Sequence, residues 1–271
     1  GLEMIQQKCQ PALDAYLAKE IPDLAAADEA LYEQTEWATT WPWPIEQYLP
    51  VLHLARSKGL PLIALNTDKD VMDKVKQQGL EALTDQEKQK FVSDPQGFIG
   101  AVRDQGFKWY TEMVILPGYE RQAAAGMLGP NPTQRNFFAA RILWDEAIAS
   151  RINSYISEHP KELVVALVGS DHVKHGFGVG WRLERLLGGD GSPIRDDGTD
   201  REKKRDPWDA PVKNILLNPT AKESGSYGVP KLNLVIGYAE KLEYLRPLAD
   251  FVWFSKSPRV SLISRMMDPI N

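Results

Sequence analysis

Short apolar runs alternate along this chain with longer stretches of helical periodicity. The runs cover residues 1–5 (GLEMI), 60–66 (LPLIALN), 163–169 (LVVALVG), 214–218 (NILLN) and 250–255 (DFVWFS). Those at 163–169 and 214–218 are almost continuously apolar, as strands buried on both faces of a parallel sheet would be. GLEMI reads as the interior of a strand with no polar leader before it. Residues 11–19 predict a helix with Leu13, Tyr16 and Leu17 on one face. A second spans 45–58 behind a Pro-Trp-Pro entry, with Pro44 in its first turn. A third spans 69–78 and stops at Gly79. The strongest spans 135–158, where Phe137, Trp144, Ile148, Ile152 and Tyr155 form one stripe and Pro160 ends the pattern.

Strands separated by helices imply βα units, so the predicted class is α/β with a mainly parallel central sheet flanked by helices. Residues 85–132 hold too many Gly and Pro breakers for one long helix and predict an insertion of short helices over the sheet edges. Residues 188–211 are polar, charge-mixed and Gly/Pro-rich, the pattern of an irregular solvated loop. No internal repeat is present. The organisation expected is a single domain, with a core over 1–187, the charged loop at 188–211, and C-terminal strands and a tail over 212–271.

Composition narrows the class of partner. With 43% hydrophobic and 25% charged residues among 271, the chain is globular rather than disordered, collagenous or disulfide-built. Thirty-seven acids oppose 32 bases, a net charge of −5, and no basic stripe interrupts them, which argues against nucleic acid as partner. No apolar run reaches the ~18 residues of a membrane span, so an integral membrane protein is not expected. The single cysteine, Cys9, reads as a small packed residue rather than a nucleophile.

The segment 169–178 (GSDHVKHGFG) carries the most chemistry. It follows a strand directly and so lies at that strand's carboxyl end, where open α/β sheets place ligands. Gly169 permits a tight turn, and His172 is able to bind a metal or haem iron or to move a proton. A hydrogen-bonded structural histidine in a glycine turn is the alternative. His175 is a second candidate, against a solvent-facing role. Glu3 places a carboxylate inside an apolar strand, which is costly unless the group is paired or used. Asp145 and Glu146 project from the long helix toward a site or, as helix acids routinely do, toward water. Trp41 and Trp43, with Trp37, Tyr32 and Tyr48, would suit the walls of a porphyrin site or an aromatic core under a loop. Walker A, GxGxxG, HExxH and CxxC motifs are absent.

Together these pieces resemble the ChaN-like haem-binding proteins of the haem-binding-uptake/Tiki superfamily. GLEMI resembles the family's second strand with its "EM" pair. QPALDAYLAKEI and TEWATTWPWPIEQYLPVLHLARSKGLPLIALN resemble the next helix, Trp-rich turn and strand. FFAARILWDEAIA resembles its "LWDE" helix, and VALVGSDHVKHGFGVGWR its "GxxH…GyGiPxR" segment. The resemblance covers roughly residues 1–187. It implies a mainly parallel α/β fold that binds haem, linked in bacteria to iron acquisition. By motif position, Glu3 matches the strand glutamate, Asp145 and Glu146 the "DE" pair, and Gly169 with His172 the second GxxH. The wider superfamily associates paired GxxH motifs and a glutamate with metal-dependent hydrolysis, which makes Glu3 and His172 the candidate metal ligands.

The chain also departs from the pattern. A first strand with a "GExH"-like motif would precede Gly1. Arg141 stands where the family has Gln, Val179-Gly180 replaces Ile-Pro, and Phe177 replaces a tyrosine, so no phenolic ligand is expected there. The segment after 211 resembles plant and algal members that are plastid-targeted. The expected function is haem or tetrapyrrole binding in a chloroplast, without enzymatic activity; a bacterial periplasm or cell envelope is the alternative location. An accessory subunit of a plastid membrane complex and a metal-dependent hydrolase are the alternative functions. One geometric expectation follows from parallel strands about 4.8 Å apart: Glu3 and His172 should lie within roughly 5–12 Å. With part of the Trp37–Trp43 cluster they would line one pocket.

Overall fold

The computed structural model describes residues 1–129, 132–188, 211–218, 233–238 and 242–253. Strand β1 (Leu2–Gln6) leads through a single 3-10 turn into α1 (Gln10–Ala18), α2 (Leu24–Gln34), the one-turn α3 (Trp37–Thr40) and α4 (Leu49–Lys58). Strand β2 (Ala64–Asn66) follows, then α5 (Lys69–Gln78), which stops at Gly79, where φ is +87°. Four short helices come next: α6 (Asp85–Phe91), α7 (Pro95–Ala101), α8 (Gln105–Tyr110) and α9 (Leu116–Ala124), with a π-turn over Thr111–Ile115. Helix α10 (Gln134–Glu158) runs for 25 residues, and α11 (Val179–Leu186) closes the core. The remaining described elements are β3 (Ile215–Leu217), β4 (Asn233–Tyr238), β5 (Leu242–Pro247) and β6 (Phe251–Trp253).

β1 is the centre of the sheet. It pairs in parallel with β2 on one side and, through Leu2 and Leu167, with the extended segment 163–169 on the other. β3 and β6 form a separate parallel pair, and β4 with β5 an antiparallel one. The α/β class with mainly parallel pairing is therefore as the sequence implied.

Side chains alternate across β2 as the pleat requires. Leu62 and Ala64 join Leu13, Tyr16, Leu31 and Trp37 in a core beneath α1–α4. Ile63 and Leu65 turn to the opposite face and meet Ile148 and Ile152 of α10 and Val179 and Leu183 of α11. A third core gathers α5–α9 onto α10 around Phe91, Phe107, Tyr110 and Leu143.

Three expectations need correction. Residues 163–169 are not buried on both faces. Val164, Ala166 and Val168 pack toward α10 and α11, but Leu163 is 89% exposed and Val165 66%. The helical layer on the other face covers Leu167 and stops short of its two neighbours. β3 is likewise buried only at Leu216, between exposed Ile215 and Leu217. The short helices of 85–132 lie against α5 and α10 rather than over the sheet edges, because their aromatics Phe91, Phe98, Phe107 and Tyr110 pack with the apolar residues of those two helices in one core. The charged loop at 188–211 falls almost entirely outside the described residues.

Ile148 is fully buried where α10 crosses the sheet. Replacing it with Ala should cost about 2–5 kcal/mol, from lost apolar transfer and the cavity left behind. Urea unfolding should show a lower midpoint with an unchanged slope.

Candidate functional site

The turn after residue 169 folds back over β1 because the segment before it is offset along the strand. Leu2 stands opposite Leu167, so Gly169 is reached while β1 still has residues to run. The Gly169 N–H then donates to Oε2 of Glu3. One 3-10 turn, Ser170–His172, carries the imidazole inward. Three backbone positions make this turn feasible. A Cβ on Gly178 would lie 1.9 Å from the His172 carbonyl oxygen, so only glycine admits the approach. His175 takes φ +63°, an uncommon left-handed conformation for a side-chain-bearing residue, and Gly176 follows at +67°.

The His172 ring is held from three directions. Its Nδ1 lies 2.5 Å from Oδ1 of Asp145, and its Nε2 lies 3.3 Å from Oε1 of Glu3. An ionised carboxylate offers only lone pairs, so the Nδ1–H is the donor to Asp145. Trp144 lies against the ring with centroids 5.0 Å apart. Glu3 is 2% exposed, Asp145 0% and His172 8%. The separation of Glu3 and His172 is thus shorter than strand spacing alone implied, since the offset turn drops His172 directly onto Glu3.

Asp145 is anchored from behind by Arg141, one helical turn earlier, whose Nε lies 3.3 Å from Oδ2. Arg141 also donates to the carbonyl of Asp171, which accepts a second bond from the Tyr110 hydroxyl at 2.7 Å. Burial by itself pushes the Asp145 carboxyl up. The charges of Arg141 and His172 outweigh it and hold the group below the usual carboxylate range. Burial raises the Tyr110 phenol, so it remains a protonated donor at neutral pH.

Not every candidate joins this network. Glu146 is fully buried like Asp145, but about 100° further round α10. It pairs instead with Arg182 at 2.8 Å and Arg185 at 2.5 Å. His175 is buried, with its backbone N–H donating to the Leu248 carbonyl at 2.8 Å and its ring steeply inclined to that of Tyr110, centroids 6.5 Å apart. Trp41 donates through Nε1 to the Tyr48 hydroxyl at 3.0 Å, and the Trp43 carbonyl accepts from Trp37 at 2.8 Å. Trp37 and Trp41 belong to the core beneath α1–α4, and the aromatic ring at His172 is Trp144. Arg141, Tyr110 and Trp144 were not singled out as site residues. The Arg141–Asp145 spacing of four, and the place of Arg141 and Trp144 in the segment that resembles the "LWDE" helix, are the signals the sequence carries.

The arrangement constrains what His172 is able to hold. Glu3 and His172 face each other as two donors to a small cation would, with Asp145 behind as the orienting carboxylate. Among the described residues, however, no third His, Cys, Asp or Glu completes a metal set. Haem iron does not fit at His172: both ring nitrogens face carboxylates, and Trp144 covers the ring.

Two outcomes are expected from this geometry. Gly178→Ala should destabilise by roughly 1–3 kcal/mol, because the turn must open to admit the methyl group; chemical denaturation measures this. The second concerns acid. Asp145 titrates below its unfolded value of about 3.9, so its contribution is complete above that pH and is lost as pH falls through the depressed folded value. Asp145→Asn should therefore unfold with a shallower pH dependence than wild type below about pH 4, read from urea midpoints at each pH.

The family model described as "Haem-binding uptake, Tiki superfamily, ChaN" matches residues 1–183 of the 271. No curated protein and no solved structure matches the chain. The matched span takes in every residue of the Glu3–His172–Asp145–Arg141 network, from β1 to the glycine turn and the first half of α11. On that coverage, the chain belongs to the ChaN family of haem-binding uptake proteins within the Tiki superfamily.

Proposed function

We propose that this chain binds haem or a related tetrapyrrole, without enzymatic activity, and that the Glu3–His172–Asp145 network shapes the fold around that ligand rather than ligating its iron. The family assignment over residues 1–183 is the observation that carries the reading. The closed surroundings of His172 support the second half, since axial ligation there would require displacing Glu3 or Asp145 from a buried ion pair. Separating such a pair costs about 3–5 kcal/mol. The imidazoles that reach solvent are those of His53 and His159, whose side chains are 36% and 42% exposed. Each rests against one carboxylate, Asp28 at 2.8 Å and Glu162 at 3.3 Å, the partnership that orients a ligating ring. When bound, the iron would supply ligand-exchange or redox chemistry, and the chain's part is to orient and enclose it.

A plastid location, with a plastid membrane complex as docking partner, belongs to the same proposal. It is supported by the resemblance of the segment after residue 211 to plant and algal members. No described helix is long and apolar enough to cross a membrane.

Titration of the purified chain with hemin should shift the Soret band and saturate near one equivalent. His172→Gln should keep the shifted band, and the double variant His53→Ala/His159→Ala should lose or move it. An unshifted spectrum with wild type overturns the ligand. A band lost only in His172→Gln, with circular dichroism confirming the fold, overturns the assignment of roles.

A further inference from the structure

The carboxyl end of β1 borders a second place where chemistry is concentrated, and the His172 network contributes no residue to it. Gln7, the first residue past β1, lines a cleft of about 380 Å³ together with Lys90 and Ser93 from the end of α6 and Ser150, Arg151 and Ser154 from α10. Strand carboxyl ends are where open parallel sheets present ligands, because the connecting backbone turns away there and leaves polar groups exposed.

The lining is cationic and lacks any acid. Lys90 is shared with Asp68, its Nζ 2.5 Å from that carboxylate, so part of its charge is already answered. Arg151 is not so answered. Among the described residues it makes one long hydrogen bond, to the neutral side chain of Gln10 at 3.5 Å, and no described carboxylate pairs with it. Ser150 is 3% exposed, and its Oγ accepts the Ser93 N–H at 3.1 Å, which leaves the hydroxyl proton to be donated. Gln7 is held by hydrogen bonds from its Nε2 to the carbonyls of Leu65, at 3.2 Å, and Ala147, at 3.4 Å. A half-buried guanidinium that no carboxylate among the described residues pairs with, beside a buried hydroxyl with a proton to give, is complementary to an oxyanion. No apolar side chain lines the cleft, so it does not suit the face of a macrocycle.

We propose that this cleft binds a small ligand through a phosphate or carboxylate group. Arg151 supplies the main charge-assisted hydrogen bonds, Ser150 a further donor and Lys90 the second positive charge. The site is separate from haem binding and does not depend on it.

Calorimetry at constant ionic strength on the whole 271-residue chain tests this, with inorganic phosphate and succinate as probes. Saturable binding of at least one probe is expected; the probe that binds more tightly identifies the oxyanion. Arg151→Gln should weaken it about tenfold or more, the usual consequence of losing hydrogen bonds from a charged group. Lys90→Gln, which leaves Arg151 in place, should weaken it by a smaller factor and serves if Arg151→Gln fails to fold. The hemin titration should be the same in both variants as in wild type. Absence of saturable binding by either probe, or equal binding by wild type and both variants, overturns the proposal.

Discussion

The contact between Asp145 and Nδ1 of His172 is the constraint that the architecture of this protein serves. Burying a carboxylate completely is expensive, and it is sustained only where every lone pair finds a donor. Asp145 finds His172 on one oxygen and Arg141 on the other. That requirement fixes the rotation of α10 about its axis. It also fixes the depth of the turn after residue 169, and through Arg141 it ties the Asp171 carbonyl to Tyr110 on α8. Three segments far apart in sequence are thereby held to one another by polar groups that have no solvent to fall back on.

The same rotation explains why α10 is not a simple amphipathic helix. Its middle is enclosed on all sides, with Leu143, Asp145, Glu146, Ala147, Ile148 and Ala149 all at zero exposure. Two adjacent acids consequently serve two unrelated networks. Asp145 faces the sheet and the glycine turn, whereas Glu146 faces α11 and answers two arginines. Arg182 is itself fully buried, with its guanidinium carbon 5.6 Å from the centroids of Phe98 and Phe107. Aromatic faces and a shared carboxylate stabilise a charge that an aliphatic core would reject.

Much of this was legible in the sequence, and the exceptions share a cause. Helix α5 and its glycine stop, the length of α10, and the convergence of Glu3, Gly169 and His172 all follow from local pattern or motif order. They depend on one segment at a time, or on the shared direction of parallel strands. The burial of Asp145 and Glu146 does not, because a DE pair on a helix looks the same in water and in a core. Trp41 and Trp43 were drawn toward the site by composition, yet their N–H and carbonyl groups are satisfied within a neighbouring turn. Leu163 and Val165 were read as buried because an apolar run does not reveal how far the covering helices extend. In each case the deciding fact is which element lies opposite, a tertiary property that periodicity does not encode.

The central position of β1 has a kinetic consequence. Its backbone partners are Ile63 on one side and Leu167 on the other, and the Gly1 nitrogen bonds to the Val165 carbonyl, 164 residues away. The middle strand is therefore made well before its second neighbour, which follows only after α1–α10. Closing a loop of that length costs conformational entropy before any contact repays it. Until then β1 exposes an unpaired edge, and Glu3 is a lone carboxylate in an apolar strand. The charged residue that completes the site in the finished protein is, during folding, the group that keeps its strand from sticking to others.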